Sequence, residues 1–128
     1  MADESYPEEL KYHPEHDWAR IEGDIATFGI TWHAQDALGE VVFFDPPAVG
    51  STVSAGESYT EVESVKAVSD VVAPLSGEIV ETNEALGDTP EAINDDPYGE
   101  GWMVKVRLSD PSETGDLLDA AAYQATLG

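Results

Sequence analysis

The chain has 128 residues, 41% of them apolar, with 27 acidic and five basic side chains and a formal net charge of −22. That is the size of one domain with enough apolar content for a core, and so acidic a surface repels phosphate backbones and anionic lipid, which argues against nucleic acid and membranes as partners. The absence of cysteine removes disulfides, a thiol nucleophile and thiolate-held metals from consideration.

Residues 1–9 are polar and are expected to form a flexible N-terminus ahead of Leu10. A loop around Pro14 leads into a strand that alternates Trp18, Arg20 and Glu22 with Ala19 and Ile21. Glu22–Gly23–Asp24 reads as a turn and Ile25–Ile30 as a second strand, so the two form a hairpin. Thr31 can cap a helix of about two turns closed by Gly39, with Ala34, Ala37 and Leu38 on one side. Val41–Val42–Phe43–Phe44 is apolar without alternation, as in a buried strand, and Asp45–Pro46–Pro47 ends it. A brief strand at Ser51–Thr52–Val53 follows.

The stretch Tyr59–Ile79 is rich in Val and Thr and reads as two strands folded about Lys66, one of three lysines in the chain. Glu78–Thr82 is another strand. The likeness between residues 49–53 and 76–80 hints at two similar halves around the hairpin. Asn83–Gly101 has no strand pattern and reads as a long loop with a helical turn near Pro90–Ile93. Trp102–Leu108 alternates, with Trp102, Val104, Val106 and Leu108 on one face. Asp110–Pro111–Ser112–Glu113 starts a C-terminal helical region over residues 110–126, whose buried side is assigned to Leu117, Leu118 and Ala121. Seven or so short strands with little helix predict an all-β sandwich or flattened barrel with peripheral short helices, in one domain spanning residues 1–128. The acidic start and the lack of any run of 18 apolar residues lead to the expectation of a soluble cytoplasmic protein.

Few residues offer chemistry. His13 and His16 stand three apart, but no third ligand is near them in sequence, and no metal is expected. His33 fits a partly buried polar residue, and the three tryptophans Trp18, Trp32 and Trp102 fit core or cleft wall. No nucleophile elbow, phosphate loop or dinucleotide fingerprint occurs, and no catalytic residue is assigned. Lys66 at the hairpin tip fits an ordinary solvated turn lysine as well as a modification site. For the second role the position is apt: small neighbours, Val65 and Ala67, leave the amine accessible on a rigid pair of strands. Acylation there would make a swinging arm that holds its cargo at high local concentration.

The octet Glu63–Ser64–Val65–Lys66–Ala67–Val68–Ser69–Asp70 resembles the lipoylation motif of the glycine cleavage system H-protein family. The likeness extends through His16–Asp17–Trp18, Gly29–Ile30–Thr31, Ala34–Gln35–Asp36–Ala37–Leu38–Gly39, Pro74–Leu75–Ser76–Gly77–Glu78, Asn83–Glu84–Ala85–Leu86 and Asn94–Asp95–Asp96–Pro97–Tyr98–Gly99–Glu100–Gly101–Trp102, covering roughly residues 10–125. The resemblance implies a barrel-sandwich hybrid fold, the kind that carries lipoyl or biotinyl groups, with lipoate amide-linked to Lys66 and Glu63, Ser64 and Ala67 as motif flanks. It implies a non-catalytic, monomeric carrier whose arm takes the aminomethyl group of decarboxylated glycine from the P protein (glycine decarboxylase) to the T protein (aminomethyltransferase). The L protein (dihydrolipoyl dehydrogenase) reoxidises the arm, and a lipoate-attaching ligase or transferase loads it. In the family the loaded arm docks in a cleft on the carrier, and matching the motifs puts Asp17 and Asp70 there as receivers of a cationic cargo, with Ile30 and His33 near the wall. Departures are Asp17 where Glu is usual, Trp32–His33, and Phe44–Asp45–Pro46–Pro47.

Other readings are a lipoyl module of a 2-oxo acid dehydrogenase, a donor that relays lipoyl groups to other proteins, and an unmodified acidic interaction domain. The first is disfavoured by Val65, since such modules place Asp before the lysine, and a biotin carrier by the distance of Met1 and Met103 from Lys66. The dispersed acid suggests adaptation to a salt-rich cytoplasm, where the screening length falls to about 3 Å at 1 M salt and self-repulsion is suppressed. The thermal midpoint is therefore expected to rise between dilute buffer and molar KCl; a flat or falling midpoint overturns that reading.

Overall fold

Alternation and turn residues translate into strands in chain order. The computed structural model describes residues 3–127, so the expectations for Met1, Ala2 and Gly128 lie outside the described residues. Along the chain run β1 (Lys11–His13), β2 (Asp17–Glu22), β3 (Ile25–Ile30), α1 (Trp32–Leu38) and β4 (Val41–Phe44). Then come β5 (Thr52–Val53), β6 (Ser58–Ser64), β7 (Val68–Val72), β8 (Gly77–Thr82), α2 (Ala85–Asp88) and α3 (Ala92–Asp95). The chain closes with β9 (Val104–Leu108), a 3₁₀ segment (Pro111–Asp116) and α4 (Ala120–Leu127). Two antiparallel sheets result, ordered β1-β2-β3-β9-β8-β5 and β4-β6-β7. The expected all-β class with short peripheral helices and a C-terminal helix is borne out.

The similar segments 49–53 and 76–80 lie side by side, because β5 pairs with β8 through Thr52↔Glu78 and Val53↔Gly77. Ala19, Phe28, Ile79, Val104 and Val106 of the six-stranded sheet, with Leu75 just before β8, form one apolar cluster. Ile30, Leu38, Phe44, Val62, Val71 and Met103 form a second beneath α1 and β4. Tyr59 packs against both. A third cluster gathers Leu10, Tyr12, Trp18, Tyr98 and Tyr123. Burying each such large side chain is worth roughly 1.5–3 kcal/mol.

Several local expectations change. Val41–Phe44 is half exposed: a bulge between Val41 and Phe43 turns Val42 and Phe43 outward on an edge strand, and only Val41 and Phe44 reach the core. In α1 the buried residues are Gln35 and Leu38, while Ala37 is exposed. Gln35 is drawn inward because its Oε1 accepts from Nδ2 of Asn94, 3.0 Å away. The last long strand begins at Val104, and Met103 is fully buried in the second cluster, so the chain turns before the alternating run begins.

The loop 83–101 holds two short helices and is tied at its ends. Nδ2 of Asn83 donates to the carbonyls of Glu100 (2.9 Å) and Trp102 (2.8 Å). Asn94 receives the Val41 N–H at 2.8 Å and donates to the Gly39 carbonyl at 2.8 Å, fastening the loop to α1 and β4.

At the C-terminus Asp110 caps the 3₁₀ segment by accepting from Ser112 N, and Glu113 leaves its expected capping role to accept from Ser76 N and Oγ, both at 2.8 Å. Leu118 then bridges Tyr12 of β1 through two 2.8 Å backbone bonds, which breaks the helical region in two. The buried side of α4 is Ala120 and Tyr123, and Ala121 is exposed. Tyr12 Oη donates to Pro7 O (2.7 Å) and Tyr98 Oη to Ser5 O (2.7 Å), so the N-terminal stretch contacts the body from Ser5 onward.

Gly29 and Trp18 are cross-strand partners, and the indole lies over the glycine: a Cβ there would come within 2.6 Å of the ring. Trp18 is fully buried and its Nε1 donates to Pro97 O at 2.9 Å, so the ring cannot step aside. Gly29→Ala should destabilise the fold by about 1–3 kcal/mol in chemical denaturation. An unchanged midpoint would show that the ring is free to move.

Candidate functional site

A hairpin tip is only as well placed as its turn. The turn between β6 and β7 is closed by Ser64 N donating to Ala67 O at 2.8 Å. Ser64 Oγ accepts from the backbone N–H of Lys66 (3.3 Å) and of Ala67 (3.0 Å), the usual way a serine stabilises a tight turn. Val65 N donates to Glu40 O at 3.0 Å, which fastens the tip to the segment after α1. Lys66 is exposed, between exposed Val65 and Ala67. Its methylenes pass over Gly39, where a Cβ would lie 3.3 Å from Lys66 Cε. Gly39 has φ +81°, a conformation that favours glycine, and it ends α1 at the root of the lysine. Glu63 is half-buried and opposes Phe43 on one side and Val68 on the other.

Beside this tip opens a cleft of about 380 Å³. One wall is Glu15, His16 and Asp17, leading into β2, with Ile30 at the end of β3; the second is the α1 face of His33, Ala34, Ala37 and Leu38; the third is Val62 with Ala67–Val71 of the hairpin. The structure therefore brings Asp17, Asp70, Ile30 and His33 together with Ala67, the neighbour of Lys66. These residues are up to 53 positions apart along the chain, from Asp17 to Asp70. Glu63 and Ser64 do not line the cleft; Ser64 shapes the turn. Trp32 does not line it either, and packs with Trp102 against the third cluster.

The two acids differ sharply. Asp70 is exposed, whereas Asp17 is only 2% exposed and its Oδ2 has no hydrogen-bond partner. Burial raises the Asp17 carboxyl well above the ordinary carboxylate range, nearby Glu15 adds to the rise, and a backbone hydrogen bond from Val72 opposes it.

Glu15 and His16 are among the cleft residues that sequence reasoning missed; for His16 the available signal was its place beside Asp17 in the matched motif. Their neighbour His13 turns its Nδ1 to accept from Glu15 N at 3.1 Å. Among the described residues no group of three or more His, Asp or Glu is placed to hold a metal, and no helix is long and apolar enough to cross a membrane.

The family model for the glycine cleavage H-protein matches residues 10–128. The chain belongs to the glycine cleavage H-protein family. It is 54% identical over 123 residues to the glycine cleavage system H protein of Bacteroides thetaiotaomicron, covering 96% of this chain and 98% of that one. To the H protein of Halorhodospira halophila it is 56% identical over 119 residues, covering 92% of each. The crystal structure of a glycine cleavage system H protein from Mycobacterium marinum superposes with a TM-score of 0.87 at 46% identity, covering 95% of this chain and 98% of that one. The family's role, that of lipoyl carrier in the glycine cleavage system, is the role of this chain.

A carboxyl whose folded pKa exceeds its unfolded one binds more protons in the native state between the two values. Its contribution to stability is therefore present at low pH and lost as pH rises through that window. Asp17→Asn removes the titration. Its stability at about pH 7 should exceed that of the wild type by about 1 kcal/mol or more, with the gap closing as pH falls to about 4. Equal thermal midpoints at neutral pH would mean that burial does not disfavour the ionised Asp17.

Proposed function

We propose that Lys66 is the lipoate attachment point and that the adjoining cleft receives the loaded arm, with Asp17 and Asp70 taking its cationic cargo. The observation that carries this reading is the buried, unpartnered Oδ2 of Asp17 in a cleft that begins at the residue next to Lys66. An enclosed carboxylate without a partner is costly, and a cationic guest supplies that partner. When bound, the lipoyl group supplies a disulfide that takes up the aminomethyl unit of glycine.

Every other part of the task falls to the chain itself. Ser64 holds the turn that carries the exposed Lys66, and the small flanks Val65 and Ala67 leave room for a lipoate-attaching ligase or transferase. Glu63, on the strand just before the turn, presents a carboxylate for that enzyme to read. Ile30, Leu38, Val62 and Val71 offer apolar wall to the methylene part of the arm and exclude water from it. Asp17 and Asp70 stand where a positive charge is stabilised more strongly than in bulk water, because the cleft is less polarisable. His33 borders the guest from α1.

The chain then works as a non-catalytic, monomeric carrier in a single unit, in the cytoplasm, between the P, T and L proteins. Support for this comes from the relatives named above, each of which is an H protein of the glycine cleavage system. On so acidic a surface these enzymes would dock through basic patches, or in a high-salt cytoplasm through contacts that tolerate screening.

The intact mass of the protein from its native host should show one lipoyl addition, localised to the peptide containing Lys66. Lys66→Arg should lose that addition and change stability by less than about 0.5 kcal/mol, since an exposed turn residue contributes little. An unmodified Lys66 peptide in a host with active glycine cleavage would falsify the assignment.

A further inference from the structure

Behind the cleft wall, three segments of the chain meet on a single oxygen. The hydroxyl of Tyr123 on α4 lies 2.8 Å from Nδ1 of His16 and 2.8 Å from Oγ1 of Thr31. Tyr123 is fully buried, stacked on Tyr12 at 4.8 Å with Tyr6 edge-on at 5.6 Å, and it does not line the cleft. His16 does line it, with its ring 4.6 Å from that of His33, on a backbone in the left-handed region at φ +75°. Thr31 caps α1, the helix that supplies the second wall.

Hydrogen-bond capacity sets the direction of this chain. Thr31 is fully buried, so its hydroxyl proton needs an acceptor inside the protein, and Tyr123 Oη, 2.8 Å away, is in position to take it while Thr31 Oγ1 accepts from Ala34 N at 3.2 Å. Tyr123 then donates its own proton to Nδ1 of His16. An imidazole that accepts at Nδ1 carries its proton on Nε2. Protonating the ring would place a donor on Nδ1 opposite a hydroxyl already pointing at it. Tyr123 Oη would then have to accept from His16, and one hydroxyl proton of the chain, that of Tyr123 or of Thr31, would lose its acceptor in the interior.

We propose that Tyr123 is a positioning residue for the cleft: through its hydroxyl the C-terminal helix holds His16 as the neutral tautomer protonated on Nε2, with its ring fixed against His33. The wall beside Asp17 then carries no positive charge to compete with the cargo. This rests on the reading that the cleft receives a cationic guest. The groups facing His16 are Glu15 and Asp17 on its own segment, His33 on α1, Asp70 on β7 across the cleft and Tyr123 on α4. Burial lowers the proton affinity of His16, His33 lowers it further and Glu15 works against them. Burial pushes the Tyr123 hydroxyl up to about 12, against the bond from Thr31, so it stays protonated at physiological pH.

The test is nitrogen-resolved NMR of the His16 ring in protein without lipoate, across pH, for the wild type and Tyr123→Phe, which keeps the ring stack and deletes the hydroxyl. The wild type should show the proton on Nε2 and titrate below the ordinary imidazole range. Tyr123→Phe should lose the tautomer preference and titrate at higher pH. A proton on Nδ1 in the wild type overturns the proposal without any variant, as does an unchanged tautomer and titration in Tyr123→Phe. At equal lipoylation and about pH 6, the cargo on Tyr123→Phe should be released to water about fivefold faster, the worth of one net hydrogen bond. An unchanged lifetime overturns the link to the cargo and leaves the carrier assignment standing, because the same sample bears its lipoate on Lys66.

Discussion

A buried ionisable side chain, the carboxyl of Asp17, is the constraint to which the rest of the molecule answers. It sits at the head of β2, paired in register with Ile30 and His13, and the backbone of Val72 reaches it from the other sheet. A chain with a net charge of −22 has abundant room for acid on its surface, so one acid held inside is not a by-product of composition. What keeps it there is its neighbour. Trp18 is locked over Gly29 and bonded to the Pro97 carbonyl, and a strand anchored so firmly leaves Asp17 no choice of side.

Around that residue the architecture divides its labour. The six-stranded sheet supplies a stiff base, and the smaller sheet supplies a hairpin whose turn carries Lys66 beside the cleft. Rigid strands on both sides would set where an arm proposed on Lys66 starts and where it can end, which would reduce the ordering needed for it to dock. Stability and function pull in opposite directions here. A buried carboxyl weakens the folded state at neutral pH, yet in the proposed role its unpartnered Oδ2 is the group that a cationic guest would satisfy. The third cluster, where the N-terminal stretch, β1 and α4 meet, stands outside the cleft but supports it through His16 and Thr31.

Local patterns made most of the strands readable. β2, β3, β6, β7 and β8 follow from alternation and turn residues that act over a few positions, and the cap of Thr31 on α1 follows from the side chain's reach to Ala34 N at 3.2 Å. Where partners distant in sequence intervene, the local pattern misleads. Val42 and Phe43 look like core residues and are turned outward by a bulge, Gln35 looks like a surface residue and is drawn in by Asn94, and Leu118 leaves a helical run to pair with Tyr12. In each case a hydrogen bond or register from another segment outweighs a propensity of a few tenths of a kcal/mol.

By itself the sequence determined the fold class, the hairpin and the candidate lysine, because spacing, turn chemistry and a family motif are properties of contiguous residues. Only the tertiary structure decided that Asp17 is buried with its Oδ2 unpartnered while Asp70 is exposed, that Glu15 and His16 share their cleft, and that Tyr123 ties its wall to the C-terminal helix. The physical reason is that burial and hydrogen-bond satisfaction depend on what the rest of the chain places around a group, and no local window contains that.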